Sequence, residues 1–203
     1  MLTAYITRSR DDGTLTAGLL PPFMVFNGKT GKTLDNRYKD WSRRPGHHGS
    51  MNFQTKHWFD GVITLRWINW LVAKFPDHLK LGLVWDDCPS HKESHVKARL
   101  EELEAEGRLV TFLIPQGMTS ILQLGDICLN APCKNFLRKK HLEWQFRELR
   151  HRREEGMRGR QVIKIDRELL MTWTENFIDN FNFKEERGET NILIPCLTKV
   201  GNI

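Results

Sequence analysis

The stretch Leu81-Gly82-Leu83-Val84-Trp85-Asp86-Asp87-Cys88-Pro89-Ser90-His91 decides the fold. An apolar run stops at two carboxylates, Cys88-Pro89-Ser90 turns the chain, and His91 opens a helical pattern. A short apolar run bounded by turn chemistry reads as a buried strand of a sheet covered on both faces. Acids at the carboxyl end of such a strand stand where open α/β sheets place their ligands. Desolvating a carboxylate is costly unless it is paired or bound to a cation. Two adjacent acids there mark a candidate site.

Downstream of that stretch, His91 to Glu106 reads as a charged amphipathic helix with Val96, Leu100 and Leu103 inward and Gly107 as its stop signal. Leu109 to Ile114 is the next buried strand, so the strand, helix, strand run predicts a right-handed parallel crossover. The loop Pro115 to Leu124 delivers Gly125-Asp126. Asn130 to Glu155 reads as a long basic helix with Pro132 in its first turn, and a second helix is expected over Asp166 to Phe181.

Upstream, Leu2 to Thr7 and Thr14 to Leu20 read as two strands joined by the turn Arg10-Asp11-Asp12-Gly13. Asp11 and Asp12 are accordingly read as turn residues. Phe23 to Phe26 is a third apolar run. Lys29 to Gln54 is polar and shows little periodicity, which predicts a long functional or mobile loop with His47 and His48 solvated. Apolar residues at helical spacing from Thr55 to Phe75, stopped by Pro76, predict a helix whose tryptophans pack onto the sheet.

A chain of 203 residues is long enough for one domain with a real core, or a domain plus a tail. A charged content of 28% fits a soluble fold. A net charge of +6 and a pI near 9.3 point to an acidic partner, nucleic acid first, and charge alone does not separate this from a merely basic soluble protein. Cys88, Cys128, Cys133 and Cys196 have no metal-binding or redox spacing and read as reduced thiols. No apolar run reaches the roughly 18 residues of a membrane helix, and no signal peptide precedes the first strand. An intracellular protein that is neither secreted nor membrane-bound is expected.

Neighbouring parallel strands bring their carboxyl ends together, so Asp86 and Asp126 are candidate ligands of one divalent cation. Such clusters activate a water or hydroxyl and stabilise the leaving oxygen in phosphoryl transfer. Spacing alone does not separate this from helix-capping and surface acids. The long helix carries Arg138, Lys139, Lys140, Arg150, Arg152 and Arg153, candidate phosphate contacts interrupted by Glu143 and Glu148. A solvated helix laced with ion pairs is the competing reading.

Asp86-Asp-Cys-Pro-Ser-His91, then Phe112-Leu-Ile-Pro-Gln-Gly-Met-Thr-Ser-Ile-Leu-Gln-Leu-Gly-Asp126, then Pro132-Cys-Lys134, together resemble the DDE superfamily endonuclease domain of pogo-, jerky- and centromere-protein-B-like transposases. That family's pattern is a strand ending in D-N-x-x-x-H, followed by a strand and L-P-P-x-T-T-S-x-x-Q-P-L-D. The resemblance covers residues 1 to 145 and extends to the F-x-G-K ending at Lys29. It implies an α/β fold of the ribonuclease H-like kind, a mixed sheet flanked by helices over 1–150, with a helical C-terminal extension over 151–203. Asp86 then corresponds to the second catalytic acid, Asp126 to the third, and His91 to a residue orienting the strand end or the substrate. Mg²⁺ or Mn²⁺, DNA and a nuclear location follow from the same resemblance.

Three departures qualify it. Gln123-Leu124-Gly125-Asp126 replaces Q-P-L-D, and Asp87 replaces the Asn. The family's first acid, in a D-E-T/S motif, would precede Leu2, so the first catalytic strand and the full triad are expected to be missing. Exposed backbone at its neighbours would then favour self-association. The expected function is a transposase-derived, nucleic-acid-binding DDE domain. The alternatives are a metal-dependent endonuclease or strand-transfer enzyme and a protein-interaction module.

Overall fold

The computed structural model describes residues 2–8, 14–29, 31–56, 58–118, 123, 128–156, 164–187 and 193. The chain is mixed α/β, with small antiparallel and parallel sheets flanked by helices. It divides into two compact units, through which the chain passes alternately. One comprises Met1–Pro22, Trp41–Ser50 and Cys128–Ile203; the other comprises Phe23–Asp40 and Met51–Ile127.

In the first unit β1 (Ala4–Arg8) pairs antiparallel with β2 (Leu15–Leu19), from Ala4 opposite Leu19 to Arg8 opposite Leu15. The predicted turn acids Asp11 and Asp12 between them lie outside the described residues. Tyr5 lies opposite Gly18, and its ring lies over the glycine, so that a Cβ there would come within 2.8 Å of the tyrosine hydroxyl and push the ring aside. Among the described residues the unit also holds the helices α4 (Asn130–Glu154) and α5 (Arg167–Glu186), joined by a tilted ring contact between Phe136 and Phe177 at 5.6 Å. α5 also holds β2. The Asn182 carboxamide accepts from Leu19 N at 2.7 Å and donates to Leu19 O at 2.9 Å, occupying the ladder positions a neighbouring strand would use.

The second unit holds β3 (Phe23–Asn27), α1 (Thr33–Tyr38), β4 (Ser50–Gln54), α2 (Gly61–Val72), β5 (Leu81–Asp86), α3 (Ser94–Ala105) and β6 (Leu109–Ile114). β3 pairs with β4 over an aromatic cluster in which Phe53 meets Phe26 at 6.0 Å and Tyr38 at 5.6 Å. α2 starts at Asp60, whose carboxylate accepts from Ile63 N at 2.9 Å, while Glu93 accepts from Gly61 N at 2.8 Å. Two carboxylates thus satisfy the first free N–H groups of the helix and oppose its positive end. β5 and β6 are parallel, with Leu81 opposite Leu109 and Asp86 opposite Ile114, as the strand, helix, strand pattern predicts.

Three expectations change. Residues 29–54 are not one unstructured loop: they contain α1, a 3₁₀ turn at Trp41–Arg43 and β4. These elements are too short to show a period, and Asn52 is buried between Met51 and Phe53, which hides the alternation of β4. The helix expected over 55–75 begins only at Gly61, because Asp60 caps it. The β5–β6 pair is not buried on both faces throughout, and with Leu113 exposed and Ile114 buried neither face is uniformly covered. Leu83 and Trp85 are buried, with Trp67 of α2 stacked 6.0 Å from Trp85, whereas Val84 and Phe112 are exposed. No helix of the described residues is long and apolar enough to cross a membrane. Cys88, Cys128 and Cys133 are free thiols, and Cys196 lies outside the described residues.

Candidate functional site

The site forms where β5 ends. Its parallel alignment with β6 puts Asp86 and Ile114 side by side at the carboxyl ends of both strands. Pro89 then begins a 3₁₀ turn (Pro89–Lys92) that folds His91 back over the strand it has just left. The imidazole lies flat on the Trp85 indole, with ring centroids 3.9 Å apart and planes 8° from parallel. His91 Nδ1 is 2.9 Å from the Asp86 carbonyl and 3.4 Å from Asp86 Oδ1. The carbonyl only accepts, and its contact is the shorter one, so Nδ1 carries a proton and donates it there. Stacking and hydrogen bond together fix the ring.

Asp87 is spoken for. Its Oδ1 meets Lys92 Nζ at 2.7 Å and its Oδ2 accepts from Gln116 Nε2 at 3.0 Å. The bond from Lys92 is the main reason that its carboxyl is held below the usual carboxylate range; Gln116 adds to the effect and burial opposes it. Gln116 is presented by a turn in which Met118 N donates to Pro115 O at 3.1 Å, with Gly117 at φ 79° in the third position. A positive φ at that position is the signature of a type II turn and favours glycine.

Asp86, Asp87, Cys88, Gln116 and Gly117 line an open cleft of about 270 Å³. Two carboxylates and a thiol make it a cation-favouring cleft. Asp86 has one oxygen near His91 and the other without a described partner, so it fits a cation ligand; Asp87, with both oxygens engaged, does not. Mg²⁺ takes oxygen ligands in an octahedron that waters can largely fill, and Asp86 is the one carboxylate of the cleft available to it among the described residues. Asp126, the second expected ligand, lies outside the described residues, as do Thr119 and Ser120 of the loop before it. No group of three metal-ligating side chains occurs among the described residues.

The six cations expected to meet phosphate all lie on α4, but at about 100° per residue they spread around the helix. Lys139, Arg150 and Arg153 share the outward face. Lys140 and Arg152 are half-buried and paired, with Glu143 at 3.6 Å and Glu148 at 3.0 Å. Arg138 donates to Asn135 at 3.3 Å.

In the first unit a different cluster replaces the solvated histidines of the sequence reading. Glu175 of α5 is 2% exposed. Its Oε1 accepts from Trp41 Nε1 at 3.1 Å, His48 N at 3.0 Å and Gly49 N at 2.8 Å, and its Oε2 accepts from His47 Nδ1 at 2.7 Å. His48 Nε2 sits 3.2 Å from Asp179 Oδ1. The signal was present in the sequence: Glu175 falls on the face of α5 that carries buried Met171, Thr174 and Ile178. A carboxylate on that stripe requires partners. The arrangement is a buried anchor for residues 41–49. No family model, no curated protein and no solved structure matches the chain.

Proposed function

We propose that the chain is a nucleic-acid-binding domain of the DDE transposase kind, built on a ribonuclease H-like sheet, that holds DNA without cutting it. The end of the parallel pair carries this reading. Asp86 terminates β5, His91 is folded back onto it, and the chain leaves β6 at Ile114 toward Asp126, in the order of the resembling motifs. Phosphate affinity is assigned to Arg138, Lys139, Lys140, Arg150, Arg152 and Arg153, the unpaired cations first. Asp86 and Asp126 would hold Mg²⁺ or Mn²⁺, and such an ion neutralises carboxylates that would otherwise repel phosphate. A nuclear location belongs to the same proposal.

The resemblance matches two acids, whereas two-metal displacement needs a further carboxylate to place the second ion. Supercoiled plasmid incubated with the chain and Mg²⁺ or Mn²⁺ should therefore be retarded but not nicked. Metal-dependent nicking that disappears in Asp86→Ala would establish the endonuclease reading instead. Absence of retardation at low salt would leave the protein-interaction reading.

A further inference from the structure

α4 packs inward through Cys133, Leu137 and Trp144, yet its opposite face is not polar. Leu142, Phe146 and Leu149 are 53%, 72% and 50% exposed. Their spacing of four and three residues places them on one line along the helix, about 10 Å long at 1.5 Å per residue. Lys139 and Arg153 continue that line at its two ends, and Arg150 flanks it. None of these three cations, nor Arg147 beside them, forms an ion pair with a described residue, whereas Lys140, His151 and Arg152 do. Glu143, already engaged by Lys140, is the acid nearest the line.

We propose that this face docks a short acidic amphipathic helix of a partner protein. Apolar side chains at four- and three-residue spacing are what a facing helix reads, its own leucines or isoleucines packing between them. The cations at both ends select the charge: carboxylates about two turns on either side of the partner's apolar centre would meet Lys139, Arg150 and Arg153. A second copy of the chain fits badly. Antiparallel pairing about Phe146 sets Lys139 against Arg153 of the other copy, and parallel pairing sets each cation against itself. A lipid surface fits badly as well, because the apolar line is only three side chains long and the cations at its ends share its face, whereas a membrane-surface helix carries its cations on a separate polar face. Nucleic acid finds phosphate partners here but gains nothing from two leucines. The inference stands apart from DNA binding, since it rests on the apolar line.

The test uses the whole chain and a dye-labelled synthetic helical peptide bearing leucines at four- and three-residue spacing with glutamates beyond them. Two control peptides carry lysines for the glutamates or serines for the leucines. Fluorescence anisotropy should show saturable binding of the first peptide at least tenfold tighter than of either control. Phe146→Ser should weaken it at least tenfold, and Leu142→Ser should weaken it in the same direction. Both positions are exposed, so the variants should keep the wild-type circular dichroism melting curve. The proposal is overturned if the first peptide fails to bind, or binds Phe146→Ser or the serine peptide equally. It is also overturned if sedimentation shows a dimer that Phe146→Ser dissociates, or if anionic vesicles bind this face and exclude the peptide.

Discussion

Replacing Glu175 by leucine should destabilise the chain by about 3–5 kcal/mol, the range for removing one member of a buried charged network. The substitution removes the acceptor of Trp41 Nε1, His48 N and Gly49 N. Each buried donor left unmade costs about 1–3 kcal/mol. Glu175→Gln should cost less, about 1–2 kcal/mol, because its carbonyl can still serve Oε1's donors while its NH₂ meets the donor at His47 Nδ1. Burial pushes the Glu175 carboxyl up, but the bonds from His47, Gly49, His48 and Trp41 outweigh it and hold the group below its ordinary value of 4.5. The sign follows. A depressed folded value stabilises the fold fully above about 4.5 and loses that contribution as pH falls through the folded value. The gap between wild type and Glu175→Gln in urea midpoints should therefore be widest at neutral pH and close on acidification below 4.5. A gap that widens in acid would contradict the geometry.

Arg108→Met should cost about 2–4 kcal/mol, the range for unsatisfying several buried carbonyls at once. Arg108 is buried just before β6, and its terminal nitrogens reach four backbone carbonyls at and beyond the end of α2. Nη1 donates to Pro76 O at 2.7 Å and to Leu79 O; Nη2 donates to Phe75 O at 2.9 Å and Val72 O at 3.3 Å. A guanidinium at a helix carboxyl end satisfies carbonyls that the helix leaves open and matches the sign of its dipole. Asp77, wholly exposed and 3.5 Å from Nη2, adds little. Arg108→Lys should recover only part of the loss, since three donors on one nitrogen cannot span the four carbonyls. Urea midpoints measure the loss, and faster amide exchange at residues 73–75 in Arg108→Met would locate it. Equal stability of the methionine variant would mean that the carbonyls find water instead.

The elements that the sequence made legible are those whose own residues decide them. Leu109–Ile114 is apolar but for Thr111, α4 and α5 are long, and β5 ends where Asp86 begins the turn. What stayed hidden depends on partners distant in sequence. Pro89 and the bond from His91 to the Asp86 carbonyl turn 89–92 into a 3₁₀ segment, so α3 starts at Ser94 rather than His91. Asp87 gains Lys92 because the 3₁₀ segment 89–92 brings it back, and Gln116 because Gly117 turns the loop after β6. His47 was read as solvated because nothing near it in sequence reveals a carboxylate on α5, 128 residues on.

The most direct measurement of nucleic-acid binding is the affinity for a duplex of arbitrary sequence as a function of salt. Log affinity should fall linearly with log salt, with a slope near −0.9 per phosphate neutralised and no dependence on base sequence. Replacing Lys139, Arg150 and Arg153 together by alanine should flatten that slope by about 2.7, three contacts at 0.9 each. The paired Lys140 and Arg152 should contribute less than their number suggests. Failure of the wild-type chain to retain duplex at about 50 mM salt, or an affinity indifferent to salt, would contradict a nucleic-acid-binding function.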